Sequence, residues 1–127
     1  MSPPAAVLIA IAVGGAAGAL IRAGLDAVSI AGGWPVTTLA VNLVGTVMLT
    51  ALAAVLAWRP RLPHWLHPLV GVGLCGSLTT FAGIQMEALL LMRDGASATA
   101  VLYVLVSVAL GLTAVVATRR VMRLAVR

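Results

Sequence analysis

Few side chains in this 127-residue chain can do chemistry, and most of those are amides or hydroxyls. Asn42 lies in a long apolar run, with Thr37 and Thr38 about one turn before it and Gly45 and Thr46 one turn after. An unpaired amide in hydrocarbon costs several kcal/mol, so Asn42 must face another helix or a wet cavity. There it either hydrogen-bonds between helices or offers its NH2 donors to an anion. A second group, Ser77, Thr79 and Thr80, is set among Gly71, Gly73 and Gly76. A third, Tyr103, Ser107 and Gly111, recurs every four residues and shares a helix face, with Thr113 close by. Such hydroxyls either line a polar track with Glu87 or bond to their own preceding carbonyls. Arg22 stands four residues before Asp26, so it forms a surface ion pair or makes a cationic vestibule that gathers anions. No nucleophile–base pair is visible, which argues against an enzyme. Cys75 is alone and reads as a packing residue. His64 and His67, beside Pro63 and Trp65, read as interfacial rather than metal-binding. Each of these groups admits either a packing role or the handling of an ion by neutral donors and carbonyls.

The elements that position these groups follow from charge. Hydrophobic residues make up 62% of the chain and charged ones 9%, where a soluble domain carries about a quarter. Charge-free runs cover 1–21, 27–58, 62–86 and 95–118, each long enough for the roughly 20 apolar residues of a bilayer crossing. The expected fold is therefore an all-α membrane protein of one domain over 1–127. Its four transmembrane helices are expected near 5–26, 35–58, 66–92 and 97–118. The first run lacks the basic leading segment of a signal peptide and is expected to remain a span. Four short helices enclose little volume, so a pathway for a solute is expected between subunits.

A pI near 11.5 would suggest nucleic acid for a soluble protein, but the basic residues of this chain follow the membrane instead. Arg59, Arg61, Arg119, Arg120, Arg123 and Arg127 fall on one side and Arg22 and Arg93 on the other. The positive-inside rule places both termini in the cytoplasm, with the tail near anionic lipid headgroups. Trp34, Trp58 and Trp65 flank the spans as interfacial aromatics do.

Two spans carry unusual glycine. Gly14 and Gly18 form a small-xxx-small pair suited to close packing or to function. The third span reads Gly71-Val72-Gly73-Leu74-Cys75-Gly76-Ser77-Leu78-Thr79-Thr80-Phe81-Ala82-Gly83, poor helix material in mid-membrane. A break there requires burial in protein or a cavity, and its freed carbonyls would suit a cation. The alternative is an intact helix with a glycine packing face.

In order, these segments resemble the Fluc/CrcB family of fluoride channels. Gly14-Gly15-Ala16-Ala17-Gly18-Ala19-Leu20-Ile21-Arg22 looks like the family's Gly-Gly-x-x-Gly-Ala-x-x-Arg opening. Thr38-Leu39-Ala40-Val41-Asn42-Leu43-Val44-Gly45 is similar to its Thr-Leu-x-Val-Asn-x-x-Gly segment, and Gly73 to Phe81 to its Gly-x-x-Gly-x-x-Thr-Thr-Phe segment. The resemblance implies an antiparallel dimer in a bacterial cell membrane that passively exports fluoride. It also implies a third span broken near the bilayer middle and a structural, untransported Na+ held by the backbone carbonyls of Gly76 and Thr79. Asn42 and Thr80 would line the pore, Arg22 would sit by a vestibule, and Phe81 would present the positive edge of its ring to the ion. Glu87, Tyr103, Ser107 and Thr113 would correspond to the polar track, with Gly111 where a hydroxyl is common.

The chain departs from the family after Phe81. Ile84 stands where the family usually has a second Phe, and Phe81 is the only Phe present. A chain that inserts both ways should also carry balanced Arg, whereas this one counts six against two. Both departures favour pairing with a homologous subunit of opposite orientation over a homodimer, or a non-conducting partner role. A small multidrug exporter is the competing class, but it needs an acid inside its first span and none lies in the charge-free run 1–21.

Overall fold

The computed structural model describes residues 3–28, 34–59 and 61–125, so Arg127 of the basic tail lies outside the described residues. Helix α1 (Pro3–Ala27) opens on prolines, tolerated in a first turn whose amides have no helical acceptor. Helix α2 (Val36–Trp58) follows Pro35 and stops before Pro60, where Arg59 leaves the helical region (φ −126°, ψ 76°), which is disfavoured for a residue preceding proline. The third span begins as a π-helical segment, His67–Cys75, and tightens into one α turn, α3 (Gly76–Leu78). After two extended residues it resumes as α4 (Phe81–Arg93). Helix α5 (Ser97–Ala125) is the longest and runs past the expected end at 118, because Arg119, Arg120 and Arg123 are good helix formers beyond the hydrocarbon.

Four helical stretches are long and apolar enough to cross a membrane: Pro4–Ala27, Val36–Trp58, His67–Arg93 and Ser97–Ala125. No strand occurs among the described residues. The all-α, four-span architecture with a broken third span is thus what the structure contains.

The turn between α4 and α5 is three residues long. Gly95 takes φ +78°, its amide bonds the Met92 carbonyl at 3.1 Å, and the Ala96 amide reaches the Leu91 carbonyl at 2.8 Å. These are the two bonds of a Schellman cap, which uses the left-handed conformation open to glycine.

Glycine decides the packing of the first and third spans. A Cβ at Gly14 would land on the Leu69 carbonyl oxygen, and one at Gly18 on the Leu74 carbonyl oxygen. From the other side, a Cβ at Gly73 would come within 2.7 Å of the Ile11 carbonyl. Ser77 closes the contact by sharing its one hydroxyl hydrogen between the carbonyls of Gly15 and Gly73, both at 2.8 Å. The small residues of α1 are therefore a packing face, and the glycines of the π segment are their counterpart. The Gly-rich stretch stays helical up to Leu78, and the break falls after it.

Candidate ion pathway at the third-span break

Thr79 (φ −86°, ψ 148°) and Thr80 (φ −146°, ψ 123°) are both extended. At membrane depth their backbone groups need partners, because lipid supplies none. Asn42 of α2 provides them: its Nδ2 donates to the Thr80 carbonyl at 3.1 Å, and its Oδ1 accepts the Thr80 amide at 2.8 Å. One side chain thus satisfies both polar groups of one residue, as a neighbouring strand would. One Nδ2 hydrogen remains for another acceptor. Thr80 also caps α4, its hydroxyl accepting the Gly83 amide at 3.0 Å.

These bonds redirect the helical ladder. In a continuous helix the Thr80 amide would serve the Gly76 carbonyl, and the Gly83 amide the Thr79 carbonyl. Both amides are engaged elsewhere, by Asn42 and by the Thr80 hydroxyl. The Gly76 and Thr79 carbonyls, expected to hold a Na+, are among those that lose their helical donors at the break. Neutral carbonyl oxygens suit a hard cation, so the residues present fit the ion.

A groove of about 470 Å³ opens beside the break, between α2 and α5. Asn42, Gly76, Thr79 and Thr80 line it on the polar side, with Phe81, Ile84 and Ser107 facing the same space. Phe81 is 71% exposed, its ring standing free of its own subunit. Ile84, half-buried, presents an aliphatic surface to the groove.

Glu87 and Tyr103 belong to a second cluster, towards the opposite end from the Arg-rich tail. Tyr103 is fully buried and its hydroxyl donates to Glu87 Oε2 at 2.5 Å. Thr38 donates to Glu87 Oε1 at 2.5 Å and accepts from Arg22 Nη2 at 2.7 Å. Arg22 Nε meets Asp26 Oδ2 at 3.0 Å, while its buried Nη1 has no hydrogen-bond partner. Arg22 is thus both the local ion pair and part of a longer chain of polar groups. Trp34 closes the cluster edge-on to Tyr103, ring centroids 5.7 Å apart at 79°.

Ser107 links the two regions, since it lines the groove and donates to the Tyr103 carbonyl at 2.7 Å. Thr113 lies apart from both: it is exposed and donates to the Ala109 carbonyl at 2.8 Å, on a face away from the groove. Among the described residues, no group of three or more metal-ligating side chains comes together, and Cys75 is a buried free thiol.

Thr38, which the sequence places beside Asn42 without indicating a role, is a junction of the polar cluster. It is 1% exposed and joins an arginine of α1 to a glutamate of α4 through one hydroxyl. The signal was its position four residues before Asn42, on the same buried face of α2.

Residues 9–119 match the family described as CrcB-like protein, Camphor Resistance (CrcB). The Fluoride-specific ion channel FluC 1 of Mycobacterium tuberculosis (strain CDC 1551 / Oshkosh) is 42% identical over 123 residues, covering 94% of this chain and 93% of the relative. FluC 2 of Geobacillus kaustophilus (strain HTA426) is 36% identical over 111 residues, 85% of this chain and 86% of the relative. FluC of Methylobacterium nodulans (strain LMG 21967 / CNCM I-2342 / ORS 2060) is 36% identical over 113 residues, 87% and 91% of the two chains. With four membrane spans and a family match over most of its length, the chain is a multi-pass membrane protein that belongs to the CrcB family.

Proposed function

We propose that the chain is a subunit of a fluoride-specific channel that lets fluoride leave the cytoplasm passively, and that it is not an enzyme. The observation that carries this is the pinned break: Asn42 fixes Thr80 extended, and the next residue, Phe81, holds its ring out over a mainly apolar groove that the Asn42 amide and the Thr80 hydroxyl also line. Fluoride is small and strongly hydrated, so a pathway for it must replace water with donors while avoiding a fixed charge that would trap it. Among the described residues, no charged side chain lines the groove. Its polar members are amide, hydroxyl and carbonyl groups, and Glu87 is held outside it by Thr38 and Tyr103.

An open groove with an exposed Phe calls for a second subunit. In an antiparallel dimer the partner would cover Phe81, and two copies of Gly76 and Thr79 would offer four carbonyls to a structural Na+. Arg22 would gather anions at the mouth, and Ser107 and Tyr103 would continue the path.

Ile84 favours a second reading, in which the partner is a homologous subunit of opposite orientation that supplies the missing ring. The six-to-two placement of Arg supports the same reading. Fluoride efflux from liposomes tests both. Passive, fluoride-selective efflux that Phe81→Ile abolishes supports the channel reading. Absence of efflux from every pairing refutes it. Full efflux from the chain alone refutes the need for a different partner.

A further inference from the structure

We propose that a second groove, between the C-terminal halves of α2 and α5, is a binding site for an anionic phospholipid, with one acyl chain in the groove and the phosphate on Arg119. The cavity measures about 300 Å³ and is lined by Leu49, Ala53, Ala54 and Ala57 of α2 and by Val115 and Arg119 of α5. Thr50 is its other polar member. From Leu49 to Ala57 the helix rises about 12 Å, so the slot is long enough for roughly half of an acyl chain. It is apolar along its length and ends in a guanidinium.

Depth places that guanidinium at the headgroups. Helix α2 ends at Trp58 and the charge-free stretch of α5 ends at Thr118, so Arg119 lies where hydrocarbon gives way to phosphate. Charge then selects the lipid. Alternating spans bring Arg59, Arg61, Arg119, Arg120 and Arg123 to one end, while Asp26, Glu87 and Asp94 all belong to the other. Among the described residues the one ion pair is Arg22 with Asp26, at that other end. An antiparallel partner would supply little of the missing counter-charge: the end it brings alongside has two Arg against three acids, a net of one negative charge facing five Arg. A phosphate matches the arginine fork, and a net negative headgroup is favoured over a zwitterionic one by the surrounding Arg. This assignment is independent of which ion the protein conducts.

Native mass spectrometry of the purified assembly, with phosphatidylglycerol or phosphatidylcholine vesicles as lipid source, tests it. The wild-type protein should retain phosphatidylglycerol in preference to phosphatidylcholine. Arg119→Gln should lower that retention about fivefold, the effect of one arginine beside an anionic headgroup, and Arg120→Gln should leave it unchanged. Ala54→Leu, which fills the slot, should displace both lipids. Equal loss in Arg119→Gln and Arg120→Gln would mean diffuse attraction and overturn the site. So would retention insensitive to Ala54→Leu, or a cross-link from Cys placed at Ala54 to a partner subunit, which would mean that protein fills the groove. Should Ala54→Leu fail to assemble, the two arginine variants decide the matter.

Discussion

Replacing Thr38 with Val keeps the shape of a fully buried side chain and removes one oxygen. That oxygen accepts from Arg22 at 2.7 Å and donates to Glu87 at 2.5 Å, so two hydrogen bonds to charged groups disappear together. Each such bond contributes about 1.5–3 kcal/mol, and the charged partners stay behind in the protein. Arg22 suffers most: Nη1 has no partner already, and Asp26 on Nε would be its remaining contact. The sum is an upper bound of about 3–6 kcal/mol. Arg22 and Glu87 lie near the aqueous end of the spans, where entering water would recover part of it, so we expect a loss of about 2–4 kcal/mol. Equilibrium unfolding in mixed micelles measures it, with Thr38→Ser as the variant that keeps the hydroxyl. A double-mutant cycle with Glu87→Gln should show coupling well above the few tenths of a kcal/mol expected of independent sites. If Thr38→Val unfolds with Thr38→Ser and the wild type, or if the cycle is additive, the hydroxyl does not join the two charges and the argument fails.

Other consequences can be checked alongside. Asn42→Ala strips the Thr80 amide and carbonyl of partners in mid-membrane, so it should destabilise the fold by several kcal/mol as well as stop fluoride flux; efflux and unfolding of the same variant show whether both are lost. Gly14→Ala should disrupt assembly on gel filtration because its Cβ meets the Leu69 carbonyl, while Gly24→Ala, which meets nothing within 4 Å, should be neutral or mildly stabilising. Ile84→Phe should raise fluoride efflux of the chain alone in liposomes if the missing ring limits conduction. Replacing Na+ by a bulky organic cation should lower the unfolding midpoint of the assembly if the Gly76 and Thr79 carbonyls hold the ion.

The spans were legible because charge is so scarce that its absence marks each crossing. The close approach of the first and third spans was legible in Gly14 and Gly18, since two backbones can meet only where side chains are missing. Composition pointed to weak helix throughout 71–83, yet the glycines there stay wound and the extended residues are two threonines. The reason lies outside the segment. Glycine lowers the preference for helix, but a break in lipid also needs a partner for the bared backbone, and Asn42 reaches only Thr80. The π winding of His67–Cys75 had no readable signal, because it depends on how the segment seats against α1. Thr38 was missed for a similar reason: its position on α2 was plain, but its two partners come from α1 and α4, and spacing within one helix says nothing about which charges its neighbours bring.

The pairing of Asn42 with Thr80 also bears on how the chain is assembled. A span with a gap in its hydrogen bonding cannot rest in lipid alone, since the Thr80 amide and carbonyl would lie bare there. It needs α2 already in the membrane. Because α2 precedes the third span along the chain, it has left the ribosome and can be waiting when the two threonines arrive. The order of synthesis is the order in which the break requires its supports, and a circular permutant that made the third span first would expose a defect with nothing yet present to cover it.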